Sequence, residues 1–236
     1  MEKVKMNIQK ETDKILGQRL LPRFNSKLFV GWAVNLLSNG YETENIVILA
    51  GMDYDTTEDR EKYFWKSIKE LKIEVNKNDF ELIEIYASQV VEDVCNGHIK
   101  PVDGFKIMQD ILRATDYFSK FIQFYLIAED FDCLEYGSYP IFNSGITKDN
   151  KEEFIIKEFE LYYEFQKLNL KDSLINKAIC NSCGEIVDTN LKTKYQLKKP
   201  FKYQVYVCSH CNSENIQHFS DQIGRSKIID KLKNIK

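Results

Sequence analysis

The stretch from Cys180 to Cys211 contains two Cys-x-x-Cys pairs and decides the fold of the last quarter of the chain. Cys180–Cys183 reads Cys-Asn-Ser-Cys and Cys208–Cys211 reads Cys-Ser-His-Cys, with residues 184–207 between the pairs. A turn that presents two thiolates three positions apart supplies half of a tetrahedral metal site, and two such turns complete it. The four cysteines therefore predict one bound zinc ion, with iron or two disulfides as the alternatives.

The 24 residues between the pairs indicate a β-hairpin. Glu185–Val187 leads away from the first pair, and Tyr203–Val207 alternates like a strand that leads into the second. The Lys199-Pro200 dipeptide marks a turn between the two halves. Together with the two cysteine pairs, this pattern resembles a zinc ribbon over about residues 176–219.

The resemblance to a zinc ribbon implies a structural metal ion. Four thiolates fill the coordination shell, whereas a catalytic zinc keeps one position for water. His210 lies inside the second pair, but the four cysteines leave no coordination position for its imidazole. Rubredoxin-like modules place a glycine after the second cysteine of each pair; Gly184 fits this pattern, but Asn212 does not, which argues against redox iron.

The charge is distributed unevenly along the chain. Residues 1–172 carry 22 basic and 31 acidic side chains, whereas residues 173–236 carry 11 basic and 5 acidic ones. A basic segment next to an acidic one either binds a separate partner or is attracted to the acidic part of its own chain.

Two groups of basic residues lie in the basic segment. The first lies along the predicted hairpin, where lysines and aromatic rings could contact phosphates and stack bases, or could simply solvate exposed strands. Its candidate contact residues are Lys194, Lys198, Lys199, Lys202, Tyr203 and Tyr206. The second group alternates with isoleucines and predicts a short, docked amphipathic helix; it consists of Arg225, Lys227, Lys231, Lys233 and Lys236.

The first three quarters of the chain show apolar residues at helical spacing. Phe80, Ile83, Tyr86, Ala87 and Val90 are one such stripe. Capping pairs and glycines bound the segments, and prolines are sparse. We therefore predict a mainly α fold with two domains: a multi-helix bundle over residues 1–172, and a zinc-ribbon module with a basic C-terminal helix over residues 173–236. The predicted helices cover about residues 26–40, 43–51, 56–71, 78–96, 101–112, 117–134 and 149–168, with an irregular connection at 136–147.

No catalytic motif is found. The sequence lacks a phosphate-binding glycine-rich loop, an H-E-x-x-H pair and a nucleophile elbow, and it contains only three histidines. The acidic residues around Asp53 do not match a calcium loop. Glu129, Asp130 and Asp132 are expected to form a solvated edge of a helix. We therefore expect a protein that is not an enzyme, and no small-molecule ligand is indicated.

Two functions remain. The first is a protein–protein interaction protein, similar in style to bacterial immunity or defence-associated proteins. The alternative is a nucleic-acid-binding or transcription-associated protein that uses the basic ribbon. No apolar run is long enough for a membrane span, and Met1–Lys5 leads into a polar helix without an apolar secretory core. The expected location is the cytoplasm, with no membrane partner.

Overall fold

The chain is mainly α-helical with a small β module near its C-terminus, which confirms the predicted fold class. The computed structural model describes residues 7–234, so the predictions for Met1–Lys5 and for Lys236 lie outside the described residues. Within residues 7–234, no helix is both long and apolar enough to cross a bilayer. The helices are α1 (Ile8–Arg19), α2 (Lys27–Ser38), α3 (Glu44–Ala50), α4 (Thr57–Glu70), α5 (Asp79–Cys95), α6 (Pro101–Ala114), α7 (Ile122–Glu135), α8 (Lys151–Lys167) and α9 (Gln222–Lys233).

Within residues 7–234, five short strands form two antiparallel sheets. Strand β1 (Ala178–Cys180) is the centre of a three-stranded sheet, with β2 (Ile186–Val187) and β5 (Ile216–His218) at its sides. The other sheet is a hairpin of β3 (Thr189–Tyr195) and β4 (Lys202–Cys208). The predicted hairpin and its turn at Lys199-Pro200 are present, but Ile186–Val187, predicted in its first half, pairs with β1 instead. The sequence did not predict the three-stranded sheet.

The chain divides into two compact units. One comprises the residues up to Val90 together with Arg113–Asp116, and the other comprises Val91–Leu112 and the chain from Tyr117 onward. The ribbon lies in the second unit with α7 and α8, so the predicted boundary between residues 172 and 173 falls inside a compact unit. The division of the chain into domains 1–172 and 173–236 stays a prediction.

The first unit is built around an aromatic cluster. The rings of Phe29 and Phe64 stack with centroids 4.1 Å apart, and Trp32 meets Phe64 edge-on at 4.9 Å. All three side chains are buried. Such offset and edge-on contacts stabilise a core beyond the area that they bury, so α2 and α4 are held together at their centres.

Two helices of this unit begin at the capping pairs that the sequence predicted. At the start of α5, the Glu81 backbone N–H donates to the Asn78 side chain, and the Asn78 N–H donates to the Glu81 carboxylate, each at 2.9 Å. Thr56 caps α4 by accepting from the Asp59 N–H at 3.1 Å. Each cap satisfies backbone donors that a helix start leaves without partners.

The second unit has a core of phenylalanines from α7 and α8. Phe124 and Phe159 are fully buried, with ring centroids 5.1 Å apart. Beyond them, Leu161 and Phe165 of α8 pack with Ile179, Phe219, Ile228 and Ile229 in a separate apolar cluster. This cluster joins α8, the three-stranded sheet and α9, so the C-terminal helix is docked, as predicted.

Asp130 is not on a solvated edge, and that prediction was wrong. Its side chain is fully buried. One carboxylate oxygen accepts the backbone N–H groups of Ile141 at 2.5 Å and Phe142 at 2.9 Å. The other accepts the backbone and side-chain N–H groups of Asn143, both at 2.8 Å. Four donors compensate the buried charge, and they hold residues 141–143 of the 136–147 connection.

Gly224 allows α9 to lie against strand β5. A Cβ atom at this position would meet the His218 carbonyl oxygen and would lie 3.0 Å from the carbonyl carbons of Gln217 and His218. We expect Gly224→Ala to destabilise the contact by about 1–3 kcal/mol, because backbone atoms cannot move aside as a side chain does. The measurement is hydrogen exchange of α9 and β5.

Gly31 in the middle of α2 is the matched control for this substitution. Nothing lies within 4 Å of a Cβ added there. Gly31→Ala is expected to stabilise α2 by about 0.5–1 kcal/mol through helix propensity alone. If Gly224→Ala and Gly31→Ala changed the stability of their own helices equally, the proposed close contact at Gly224 would be contradicted.

Candidate metal centre

Two tight turns present the four cysteines. Cys180 ends β1 and Cys208 ends β4, and each is followed by a turn that carries the second cysteine of its pair. The Gly184 N–H donates to the Cys180 carbonyl at 2.7 Å, and the Asn212 N–H donates to the Cys208 carbonyl at 3.0 Å. The two turns therefore have the same backbone hydrogen bond.

The residue after each pair adopts a left-handed conformation. Gly184 has φ +75° and Asn212 has φ +59°. Glycine enters this region without steric cost, and asparagine is one of the few other residues that visits it routinely. The departure from the glycine pattern at Asn212 therefore does not change the turn.

The four sulfur atoms come together in one cluster. Each Sγ lies within 4.8 Å of the others. Cys180 Sγ is 3.6 Å from Cys211 Sγ, and Cys183 Sγ is 3.8 Å from Cys208 Sγ. A tetrahedron with metal–sulfur bonds of about 2.3 Å has sulfur–sulfur edges of about 3.8 Å. The distances fit four ligands around one metal ion, and all four cysteines are free thiols.

Backbone N–H groups surround the sulfur atoms. The N–H groups of His210 and Cys211 lie 3.4 Å and 3.5 Å from Cys208 Sγ. At the first turn, the N–H of Cys183, followed by that of Ser182, lowers the pKa of the Cys180 thiol to about 6. At Cys180 these donors favour the thiolate form, which is the form that binds metal, whereas burial and the neighbouring thiols raise the pKa of Cys183 and Cys211. The imidazole of His210 is not part of the cluster.

Few of the buried apolar residues belong to the ribbon strands. Cys180 and Cys208 are fully buried, Cys183 is half-buried and Cys211 is exposed. In β1–β5, the other buried hydrophobic residues are Ala178, Ile179 and Val207. So few buried apolar side chains contribute little to holding five strands together, and a metal ion bound by the four cysteines would add a further constraint.

The hairpin extends away from the four cysteines. Thr189 pairs with Cys208 at the metal end, and Tyr195 pairs with Lys202 at the other end. Six residue steps of about 3.3 Å place the far end about 20 Å along the strands from the cysteine. The Gln196 N–H closes the turn by donating to the Phe201 carbonyl at 3.0 Å.

The predicted contact residues of the hairpin fall into three environments. Lys194 forms an ion pair with Glu214, which raises the pKa of the Lys194 ammonium group. Tyr203 is half-buried on the same face of the hairpin as Lys194. On the opposite face, Tyr206 is exposed and meets His218 edge-on with ring centroids 5.2 Å apart. Lys194 and Tyr203 are thus engaged within the ribbon.

The remaining hairpin lysines are exposed and have no carboxylate partner among the described residues. They are Lys192, Lys198, Lys199 and Lys202. The basic residues of α9 behave differently, because they bind groups of their own unit. Lys231 pairs with Glu185, Lys233 pairs with Glu164, and Arg225 forms a buried ion pair with Glu158. Of the two basic groups near the C-terminus, the hairpin is therefore the one with lysines available for a partner.

Five exposed apolar side chains accompany these lysines. We call Leu191, Tyr195, Leu197, Phe201 and Tyr206 the hairpin apolar set. Leu197 at the turn is 98% exposed and Tyr195 is 76% exposed. The register places Leu191, Tyr195 and Tyr206 on one face of the hairpin. The sequence interpretation included neither Leu191 nor Leu197, although Leu191, Thr193 and Tyr195 alternate along β3 as residues of one face do.

Within residues 7–234, the four cysteines are the only cluster of His, Cys, Asp and Glu side chains with a geometry that could hold a metal ion. No protein family matches this chain, and neither the curated proteins nor the solved structures include a match to it.

Proposed function

We propose that this chain is a non-enzymatic binding protein in which one structural zinc ion supports the β3–β4 hairpin, and that the hairpin binds another protein. The observation that carries the proposal is the combination, on one short hairpin, of five exposed apolar side chains with four lysines that have no internal partner. Exposed apolar residues surrounded by charge are typical of protein interaction surfaces.

Zinc is the proposed metal because the donor set consists of four thiolates with tetrahedral spacing. Soft sulfur ligands select zinc or iron–sulfur chemistry over magnesium or calcium, and zinc has no geometric preference that the site would have to meet. A filled shell leaves no position for a substrate or for water. The closed centre supports a structural role, and it supports the proposal that the chain is not an enzyme.

A protein partner is favoured over a nucleic acid because two of the five exposed residues are leucines. Leu191 is 56% exposed and Leu197 is 98% exposed. Aliphatic side chains gain from entering an apolar pocket of a protein, whereas nucleic-acid bases are bound by stacking on rings. The partner surface should be apolar with carboxylates at its edge. The role in bacterial immunity or defence stays a prediction.

Removal of three lysines tests the proposal. We expect the Lys198/Lys199/Lys202→Ala variant, and separately Leu197→Glu, to lose the proteins that the wild type captures from an extract of the native organism after nuclease treatment. Each change is on an exposed side chain, so the fold is expected to be retained. Quantitative mass spectrometry of the captured proteins is the measurement.

The control variant removes the same charge elsewhere. Lys62, Lys66 and Lys69 lie exposed on α4, and their triple alanine variant is expected to capture what the wild type captures. Equal loss from the hairpin and control variants would indicate a general charge effect and would sink the proposal. Capture that is unchanged in all variants would do the same.

Nucleic-acid binding remains the second candidate, because Tyr195, Phe201 and Tyr206 are exposed rings beside unpaired lysines. It predicts that single-stranded oligonucleotides bind with an affinity that falls steeply with salt. The Lys198/Lys199/Lys202→Ala variant should then flatten the slope of log affinity against log salt by about 2, since each lost phosphate contact contributes about 0.7. Fluorescence anisotropy at several salt concentrations would separate the two functions.

A further inference from the structure

The connection after α7 presents a second group of exposed apolar residues in the same unit as the hairpin. We call residues 136–142 the clamped loop. Tyr136 is 88% exposed, Tyr139 is 90% exposed and Ile141 is 71% exposed, while Phe142 is 36% exposed. Four large apolar side chains in seven residues would be costly on a segment that served only as a connection.

The backbone at the C-terminal end of this loop, at Ile141 and Phe142, is nevertheless held in place. Asp130 accepts four hydrogen bonds from Ile141, Phe142 and Asn143, as described above. Just after the loop, Asn143 Oδ1 accepts the Gln222 N–H at 3.0 Å. A segment that is held before binding loses less conformational entropy when it binds, and tyrosines are effective contact residues because few of their torsion angles have to be fixed. The clamped loop therefore has the properties of a preorganised contact surface.

The chain that flanks the clamped loop is acidic. Asp132 and Glu135 precede it and Asp149 follows it, all exposed, and of these three Glu135 is paired with Lys151. Across residues 129–152, five carboxylates besides the buried Asp130 stand against two lysines. The hairpin has the opposite charge, because residues 189–207 contain five lysines and no acidic residue. The clamped loop thus combines exposed apolar side chains with acidic flanking residues, and the hairpin combines them with lysines. The charges around the two surfaces are therefore complementary.

We propose that the clamped loop of one copy of the chain binds the β3–β4 hairpin of a second copy. The inference rests on the proposed function, because it names a surface with the apolar centre and acidic surroundings that the hairpin requires. Two loops facing each other would bring carboxylates together, and two hairpins would bring lysines together. Like charges at an interface are unfavourable, so only the unlike contact is complementary.

This contact joins different surfaces of the two copies. The pair then keeps one free loop and one free hairpin, on different copies, so association continues head to tail instead of stopping at a dimer. Both surfaces are small, which places the interface below about 1,200 Å² and makes the affinity modest. The contact should also weaken with salt, since ions screen exposed charges.

Sedimentation velocity of the purified, metal-loaded protein tests the contact. The average mass of the wild type is expected to rise with protein concentration past that of a dimer. Raising the salt from about 0.1 M to about 1 M shortens the screening length from about 10 Å to about 3 Å, so we expect the dissociation constant to rise at least about tenfold. A Tyr54→Ala variant, at a 99% exposed position of the other unit, should behave like the wild type.

Mixing of two variants provides the decisive result. The loop variant Tyr139→Ala/Ile141→Ala and the hairpin variant Leu197→Glu/Lys199→Glu each change exposed side chains, and each is expected to be monomeric alone. An equimolar mixture should form a dimer and stop there, because the loop variant supplies an intact hairpin and the hairpin variant supplies an intact loop.

Three outcomes would overturn the inference: a wild type that stays monomeric at all concentrations, a single variant that still associates like the wild type, or a mixture that stays monomeric. Each is distinguishable from failure of the proposed function, which is measured by capture of other proteins. A hairpin that captures a different protein while the wild type stays monomeric would refute self-association and support the proposed function.

Discussion

Removal of the metal is expected to abolish hydrogen-exchange protection throughout β1–β5 and at the junction with α9, while α2–α4 keep their protection. Besides Cys180 and Cys208, the strands bury only Ala178, Ile179 and Val207. Structural zinc contributes about 10–16 kcal/mol to small zinc modules, which is as large as the whole stability of about 5–15 kcal/mol of a typical domain. Hydrogen exchange with and without a chelator, together with metal analysis, is the measurement.

Substitution of a ligand should have the same effect as chelation. Cys180→Ser removes a buried thiolate, and we expect the purified variant to contain little zinc and to lack protection in the strands. The control is Cys133→Ser, because Cys133 is a half-buried free thiol outside the sulfur cluster. That variant should keep one zinc ion per chain. Less than about half an equivalent of zinc in the wild type, or strands that stay protected after complete chelation, would contradict the zinc proposal.

The parts of the structure that the sequence predicted are those in which the interacting residues are close in the chain. The Cys-x-x-Cys pairs form their turns with hydrogen bonds between residues four apart, as from Gly184 to Cys180. The capping pair of Asn78 and Glu81 spans three residues. Local spacing fixes such contacts largely independently of the rest of the fold.

Asp130 shows why other features could not be predicted. Its side chain lies on a helix among Glu129 and Asp132, and the sequence gives no reason to treat it differently from these neighbours. Its burial depends on three backbone N–H groups that are 11 to 13 residues away and belong to an irregular segment. No periodicity describes such a segment, so a carboxylate that holds a loop resembles a solvated one.

The hairpin lysines are a second example. Lys194 and Lys198 are equivalent by composition, but Lys194 reaches Glu214 in the segment between β4 and β5, whereas Lys198 lies exposed in the turn. Which lysine is engaged depends on the face of the hairpin and on the position of a residue 20 places further along the chain. Only the three-dimensional structure separates the internal charges from those available to a partner.

Removal of the carboxylate from the buried ion pair in the second unit is expected to destabilise that unit by about 3–5 kcal/mol. Arg225 of α9 and Glu158 of α8 form this pair, with side chains that are 3% and 1% exposed. In Glu158→Leu, the Arg225 guanidinium would keep its charge in a buried environment with only neutral oxygens as acceptors, those of Gln123, Phe219 and Ser220. A buried charge without a counter-ion is among the largest sources of instability.

Glu160 is the matched control, two residues further along α8. It pairs with Lys157 at 3.3 Å, but both side chains are about half exposed. Glu160→Gln is expected to change stability by less than about 0.5 kcal/mol, because solvent screens exposed pairs. Urea unfolding, followed by hydrogen exchange in α8 and α9, compares the two substitutions under the same conditions.

The double variant Glu158→Leu/Arg225→Met separates the charge effect from the packing effect. If the loss in Glu158→Leu comes from the uncompensated guanidinium, removal of both charges should recover most of it, so that the double variant is more stable than Glu158→Leu alone. The recovery should be incomplete, because the Phe219 carbonyl would lose the hydrogen bond that Arg225 donates at 2.6 Å. A double variant as unstable as the sum of the single variants would show that shape, and not charge, fixes α9 on α8.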